Sequence, residues 1–145
     1  MLILDTNVIS ALMRPKPDRQ VMSWLDRQTD ELLRTTAITV FEIRFGLMRL
    51  PAGRRRRALE RAFTAVLAEE LGGGGLEFDD RAAEATALLA AERQAAGTPV
   101  DFRDTAIAGV AIAYRATLVT RNLKHFAGLP VPVISPWNVV PASPG

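Results

Sequence analysis

The sequence predicts an α/β sandwich in which helices flank a mainly parallel sheet. Short β-branched strands alternate with longer segments whose apolar residues recur at helical spacing, a pattern typical of parallel sheets. Polar residues stand at the ends of two of the predicted strands: Asp5 ends the first strand, Thr120 ends "TLVT", and Asn122 follows it. Because ligands of parallel sheets bind beyond the carboxyl ends of the strands, we expect the functional site at this edge.

The first predicted elements are short. Residues 1–4 form an apolar run that predicts a buried strand, and a helix is predicted over residues 8–13, ended by Pro15 and Pro17. Asp18 is the expected N-cap of the next helix, through "VMSWLDRQ". A second short strand is predicted at residues 32–35.

Two longer helices are predicted in the middle of the chain. Thr39 is the expected N-cap of "VFEIRFGLMRL", and Glu42 lies at capping-box spacing from it. The segment "AGRRRRALERAFTAVLAEEL" has helical periodicity and is expected to end at the glycines of residues 72–75. After these glycines, "LEF" predicts a short strand.

The remaining elements continue the alternation of helices and strands. Asp79 or Asp80 is expected to cap an alanine-rich helix, and Asp101 is the natural N-cap of "DFRDTAIAGVAIAYRA". "TLVT" and "VPVI" are predicted strands. Residues 1–140 are expected to form one domain, and residues 141–145 a frayed tail.

Composition excludes several classes of protein. The chain has no cysteine, which rules out disulfides, thiolate metal sites and cysteine nucleophiles. No apolar run approaches the roughly 18 residues that can span a bilayer. The N-terminus also lacks the basic start and long apolar stretch of a signal peptide. We therefore expect a soluble cytoplasmic protein without a membrane partner.

Arginine dominates the positive charge. The net charge is +2, and all but two of the 18 Lys and Arg residues are arginines. Arginine forks match phosphate groups, so a basic cluster is the expected footprint of a nucleic-acid binder. A solvated helix face or a patch for an acidic protein is the alternative. The consecutive arginines that could contact RNA are Arg54, Arg55, Arg56 and Arg57.

The candidate site consists of Asp5, Glu42, Asp104 and Asn122. Glu42 lies between apolar neighbours, and Asp104 immediately precedes "TAIAGVAIA". Neighbouring buried carboxylates repel one another and lose hydration, and a hard cation such as Mg²⁺ or Mn²⁺ offsets both costs. Such a cation can activate water and stabilise charge on phosphoryl oxygens. Their joint placement therefore predicts a divalent-metal site.

Each acid also has a local structural alternative. Asp5 can cap the helix that starts near Val8, and Glu42 can complete a capping box with Thr39. Asp101 is better explained as an N-cap than as a metal ligand. Asp104, three residues later, is harder to explain by capping, because apolar residues follow it at helical spacing.

Four segments, in order, resemble a known family: "LDTNVIS", "ITVFEIRFGL", "DFRDTAIAGVA" and "LVTRNLKHFAGL". Over nearly its whole length the chain resembles the PIN-domain ribonucleases, most of all the VapC toxins of bacterial toxin–antitoxin pairs and the related FitB proteins. "VISPWN" resembles the FitB-like group. The resemblance implies a PIN-like three-layer α/β sandwich, a Mg²⁺ or Mn²⁺ cofactor and cleavage of RNA phosphodiester bonds.

The resemblance also implies a role for each site residue. Asp5 and Asp104 would be the metal-ligating carboxylates, and Glu42 the third acid. Asn122 and His125 stand where related sequences often have Asp, so the site would carry less negative charge. From its polar loop, His125 is predicted to be a surface residue or a contact to a substrate phosphate. The implied supporting hydroxyls are those of Thr6 and Thr120.

The implied partners are an RNA substrate, a second copy in a homodimer, and a small VapB-like or FitA-like antitoxin through which operator DNA would be bound. Residues 39–71 carry more apolar side chains than a small core needs, which favours a groove there for an antitoxin helix. Ordinary core packing is the alternative. A rival function is a catalytically weak PIN-fold module that binds nucleic acid or antitoxin, because Asn122 brings no charge to a cation.

Overall fold

The computed structural model describes residues 1–138, which contain a four-stranded sheet in the order β2-β1-β3-β4. All three neighbouring strand pairs are parallel, with Leu2 beside Leu33 and Leu4 beside Val119. This confirms the predicted α/β class and the parallel sheet. The strands are β1 (Leu2–Leu4), β2 (Leu33–Arg34), β3 (Thr117–Val119) and β4 (Val133–Ile134).

Within residues 1–138 the sheet is accompanied by six α-helices and two short 3-10 helices, the latter at Leu123–Phe126 and Pro136–Asn138. Asp18, Asp79 and Asp101 accept hydrogen bonds from backbone N–H groups in the first turns of their helices, as predicted. The α-helices are α1 (Thr6–Met13), α2 (Arg19–Asp26), α3 (Ala37–Met48), α4 (Arg54–Glu69), α5 (Asp80–Ala95) and α6 (Phe102–Tyr114).

Alternating side chains of β1 and β3 point into two separate cores. Leu2, Leu4 and Val119 pack with residues of α1 to α4, whereas Ile3 and Leu118 pack with residues of α5 and α6. Since successive side chains of a strand point to opposite faces, the sheet lies between two helical layers. No helix among the described residues is both long enough and apolar enough to cross a bilayer.

Three local predictions are wrong. The N-cap of α3 is Thr36, whose hydroxyl accepts a hydrogen bond from the N–H of Thr39, so Glu42 does not belong to a capping box. "LEF" is not a strand: its only β-pairing is a single isolated bridge between Leu76 and Thr36. α1 begins at Thr6, directly after Asp5, rather than at Val8. The tail predicted at residues 141–145 lies outside the described residues.

A close approach of α5 to α6 depends on Gly109. A Cβ at this position would lie 1.9 Å from Thr86 Oγ1 and 2.9 Å from the Ala82 carbonyl oxygen. The Thr86 hydroxyl donates to that same carbonyl at 2.7 Å, so this pairing of helices is tight and partly polar. Only a residue without a side chain fits here without moving one helix.

We expect Gly109→Ala to lower the free energy of unfolding by about 1–3 kcal/mol, because the backbone carbonyl of Ala82 cannot move aside as a side chain can. Gly46→Ala is the matched control, since nothing lies within 4 Å of a Cβ at that helical position. It should raise the free energy by about 0.5–1 kcal/mol through helix propensity. Urea unfolding measures both, and equal effects of the two substitutions would contradict the packing argument.

Candidate active site

The carboxyl edge of the sheet brings together the loops that follow β1 and β3. The Asp5 N–H donates to the Val119 carbonyl at 2.8 Å, and the Thr120 hydroxyl donates to Asp5 Oδ2 at 2.8 Å. Asp5 and Thr120 are therefore neighbours, although 115 positions separate them in the chain. Both residues were predicted from the sequence to lie at this edge.

Asp5 is both a helix cap and a buried carboxylate. It is the N-cap of α1, is 4% exposed, and accepts hydrogen bonds from Thr6 N–H at 2.8 Å and Asn7 Nδ2 at 3.2 Å in addition to Thr120. Burial raises the pKa of Asp5 above its usual range, and repulsion from Asp104 adds to the rise, whereas these hydrogen bonds lower it. The capping alternative is thus correct without excluding a functional role.

Glu42 lies in the second turn of α3 and faces the same edge. Its Oε1 accepts a hydrogen bond from the Thr6 hydroxyl at 2.9 Å, and its Oε2 lies 3.7 Å from Arg103 Nη1. Burial raises its pKa, the Thr6 bond opposes this, and Asp5 and Asp104 raise it further by repulsion. Thr6 therefore links Asp5 to Glu42, because its backbone N–H donates to Asp5 and its hydroxyl donates to Glu42.

Asp104 lies in the first turn of α6, and its N–H donates to the capping oxygen of Asp101 at 3.1 Å. The Asp104 carboxylate lies 3.2 Å from Nδ1 of His125. The His125 side chain is 59% exposed, so it is a surface residue as its loop position predicted, and it is also a partner of Asp104. Its contact to a substrate phosphate stays a prediction. A cleft of about 650 Å³ opens beside this pair, and Arg93 and Lys124 also line it.

The acids form one electrostatic cluster, because each of Asp5 and Glu42 has its pKa raised by repulsion from Asp104. Within residues 1–138, no Lys, Arg or His forms an ion pair with Asp5. A carboxylate that is buried, repelled by its neighbours and unneutralised has the chemistry of a hard-cation ligand.

A closed metal cage is not found among the described residues, where no three His, Cys, Asp or Glu side chains are grouped so as to hold an ion. This arrangement still fits Mg²⁺, which typically keeps several waters and binds through one or two carboxylates together with substrate phosphates. The residues thus suit an open cation site better than a structural one.

Asn122 precedes the 3-10 helix Leu123–Phe126, and its side chain is exposed and makes no capping bond. Its N–H donates to the Thr120 hydroxyl at 3.1 Å. The backbone of Asn122 thus supports the hydroxyl group that holds Asp5, and the residue itself is exposed.

Two residues of the site were missed from sequence. Asn7 donates to Asp5 and to the Thr120 hydroxyl, and its Oδ1 accepts from the Arg121 N–H at 3.0 Å. The polar run "DTN" at the end of a buried strand was the signal for it. Arg103 lies beside Glu42, 61 positions away in the chain, and nothing local in the sequence indicates this contact.

The arginine run occupies the first turn of α4, after a glycine N-cap without a side-chain bond. Arg56 pairs with Glu60 at 2.8 Å, whereas Arg57 lines a second cleft of about 510 Å³ with Arg44 and Arg61. The run is therefore divided between an ion pair and an open basic surface.

The apolar residues predicted for a groove divide into core and surface. Leu47, Phe63 and Leu67 are buried, and Leu50 is partly buried. The exposed part, here called the α3 apolar face, consists of Phe41, Phe45 and Met48. The two phenylalanine rings stack with centroids 5.8 Å apart, so one side of α3 presents a continuous apolar strip to solvent.

Comparison with known proteins gives a consistent result. The PIN domain family profile matches residues 2–129. The chain is 39% identical to the VapC ribonuclease Y4jK of Sinorhizobium fredii and 33% identical to the toxin FitB of Neisseria gonorrhoeae; each match covers 95% of this chain and 99% of the relative. A solved structure of FitAB bound to an IR36 DNA fragment superposes with a TM-score of 0.85 at 32% identity, covering 97% of this chain and 98% of that one.

The raised pKa of Asp5 predicts a pH dependence for the metal-free protein. Above the ordinary value of 3.8 and up to the folded value, the folded state holds the Asp5 proton more tightly than the unfolded state. The free energy of unfolding therefore falls as pH rises through this window. The Asp5→Asn variant lacks the titrating carboxyl and so does not lose this free energy of unfolding. Its stability relative to wild type should therefore increase from about pH 4 to pH 7, as measured by urea titrations with EDTA.

Asp18→Asn is the control of opposite sign. The N–H of Val21 and the Trp137 indole lower the pKa of Asp18, so its stabilising contribution is present above its ordinary pKa and is lost as pH falls. The Asp18 variant should therefore lose stability relative to wild type as pH rises. If the stabilities of the two variants relative to wild type changed with pH in the same direction, burial would not control the pKa of Asp5.

Proposed function

This chain belongs to the PIN-domain family, and from that premise we propose that it is a metal-dependent endoribonuclease toxin of the VapC and FitB type, neutralised by a cognate antitoxin. The observation that carries the proposal is the buried, unneutralised Asp5 carboxylate beside Glu42 and Asp104. The ribonuclease and toxin named among its relatives match nearly the whole chain.

In the proposed mechanism, Asp5 and Asp104 would hold Mg²⁺ or Mn²⁺, and the metal would supply a polarised water and positive charge for the phosphoryl oxygens. Thr120, Asn7 and the Thr6 N–H fix the rotamer of Asp5 before any ligand arrives. His125 likewise orients one oxygen of Asp104 and leaves the other free. The chain thus supplies two oriented carboxylate oxygens at one edge.

Glu42 is the proposed proton acceptor. Its raised pKa makes Oε2 a better base than an exposed carboxylate, while Oε1 is held by Thr6. Attack of water on phosphorus forms one P–O bond and breaks the ester bond to the leaving sugar oxygen. The water proton passes to Glu42, and the leaving oxygen takes up a proton from solvent.

The proposed partners follow from the surfaces of the chain. The α3 apolar face is assigned to the antitoxin, as exposed aromatic rings beside arginines suit an amphipathic helix with acidic residues. Arg54, Arg55, Arg56 and Arg57 are assigned to RNA contacts, and operator DNA would be reached through the antitoxin. We further propose that the chain acts as a homodimer in the cytoplasm, where RNA is present.

A second candidate is a catalytically weak module that binds nucleic acid or antitoxin. The exposed, uncharged Asn122 favours it, because an amide adds no charge to a cation site. The two candidates differ in whether antitoxin-free protein cleaves RNA.

The function is tested by incubating antitoxin-free protein with total cellular RNA. We expect cleavage that EDTA abolishes and Mg²⁺ or Mn²⁺ restores, and its loss in Asp5→Asn and Asp104→Asn, because each removes a charged ligand. Asn122→Ala should cost less than either, and Asn122→Asp should lower the Mg²⁺ concentration for half-maximal rate, since an added charge about 4 Å from a cation attracts it.

Asp26→Asn, an exposed carboxylate at the end of α2, should leave the cleavage rate unchanged. If Asp5→Asn remains folded and fully active, the metal proposal is wrong. If Asn122→Ala is as inactive as Asp5→Asn, the amide acts directly in the reaction. A folded wild type that cleaves no RNA with either metal would favour the binding module.

The antitoxin assignment predicts that Phe45→Ser prevents co-purification with the small protein encoded next to the toxin, while RNA cleavage is retained. Phe45 is 47% exposed, so its loss should not disturb the core. Leu88→Ser on α5, at 63% exposure, is the control and should leave the complex intact. A complex that survives Phe41→Ser combined with Phe45→Ser would assign the face to another partner.

A further inference from the structure

We infer that Arg103 binds a phosphate of the RNA backbone at the acid cluster, an inference that rests on the proposed ribonuclease function. Arg103 is the second residue of α6, directly before Asp104. Its side chain is 53% exposed, and Nη1 lies 3.7 Å from Glu42 Oε2. It therefore places a positive charge beside the Glu42 carboxylate of the acid cluster.

Helix stability does not explain this position. The N-terminus of a helix carries partial positive charge, so a cation in the first turn of α6 is unfavourable for the helix. A loose ion pair between a half-exposed arginine and a glutamate that is 20% exposed contributes little in return. The residue is thus placed at some cost to the helix beside Glu42.

The contact with Glu42 also leaves Arg103 able to bind a second group. Charge-assisted hydrogen bonds join atoms about 2.7–2.9 Å apart, so the separation of 3.7 Å is a loose ion pair that does not occupy the five donors of the guanidinium. The planar fork can receive two oxygens of one phosphate. Its exposed face is open to a chain that approaches from solvent.

The negative charge of the RNA backbone requires a positively charged residue near the acids. Asp5, Glu42 and Asp104 would repel an anionic RNA backbone, and Arg103 acts on the Glu42 side of the cluster. On the Asp104 side, His125 already contacts Asp104, and the cations Lys124 and Arg93 lie along the neighbouring cleft. A phosphate bound by Arg103 would therefore lie beside Glu42 rather than beside His125.

The test measures RNA binding without cleavage. In the Asp5→Asn background with EDTA, a labelled single-stranded RNA is titrated by fluorescence anisotropy over a series of salt concentrations. Adding Arg103→Gln should weaken binding by about tenfold or more, as expected for a lost charge-assisted contact. It should also reduce the slope of log K against log salt by about 0.7. Arg103→Lys should keep the slope and recover part of the affinity.

Arg81→Gln is the control for overall charge. Arg81 donates a hydrogen bond to the Ala113 carbonyl at the opposite end of α6. The substitution Arg81→Gln therefore removes one positive charge, as Arg103→Gln does, but far from the acids. If Arg103→Gln binds as the background does, or if both arginine variants weaken binding equally, the inference is overturned. Thermal unfolding of each variant shows whether it is folded, and Arg103→Lys provides the reading if Arg103→Gln is not.

Glu42→Gln separates a phosphate contact from simple neutralisation of Glu42. If Arg103 only masks the charge of Glu42, then Arg103→Gln should have no effect on binding once Glu42→Gln is present. A direct contact predicts that the tenfold loss persists there. RNA cleavage by the wild type is measured in parallel. If the wild type does not cleave RNA but its binding depends on Arg103, only the ribonuclease function is rejected. If it cleaves RNA but its binding does not depend on Arg103, only this inference is rejected.

Discussion

The structure at the carboxyl edge of the sheet depends on one buried carboxylate, that of Asp5. It ends β1, caps α1 and receives hydrogen bonds from a hydroxyl after β3 and from an amide of α1. A carboxylate this deeply buried is costly, and the cost is reduced only because each neighbouring donor points at it. The identities of Asn7 and Thr120 follow from that requirement as much as from any reaction, whereas Thr6 gives Asp5 only its backbone N–H and donates its hydroxyl to Glu42.

The parallel arrangement supplies a second kind of support. α1 and α3 start at the carboxyl ends of β1 and β2, and the first turn of α6 brings Asp104 to the same acids. Helix N-termini carry partial positive charge, which favours acids at Asp5 and Asp104. Glu42, one turn further along its helix, gains less from this effect and depends on Thr6 and Arg103 instead. The three acids thus share an edge but are stabilised by different groups.

The parts of this structure that were predictable from sequence are those decided by neighbours in the chain. Asp18, Asp79 and Asp101 cap helices because the N–H groups they bind lie two or three residues away. Thr36 and Thr39 are both suitable caps, and the choice depends on how β2 delivers the chain to α3, which no local pattern contains. "LEF" has strand-forming residues, but only Leu76 finds a bridging partner.

The same distinction holds in the candidate site. Asp5, Glu42 and Asp104 were predictable together because each breaks an apolar pattern at an element boundary or helix start. The contacts of His125 with Asp104 and of Arg103 with Glu42 join residues of different elements, so they required the tertiary structure. Both are contacts between polar side chains of different elements, and such contacts add no periodicity by which a sequence would reveal them.

Asn7 has a consequence for motion at this edge. Its side chain bonds to Asp5 and Thr120 and accepts the N–H of Arg121, joining loops that lie 114 positions apart in the chain. Neither loop can open without breaking contacts that also hold the other. The two loops would therefore open as one cooperative unit with a shared opening free energy. Their amide hydrogens would then exchange with solvent at matching rates, although the loops belong to opposite ends of the chain.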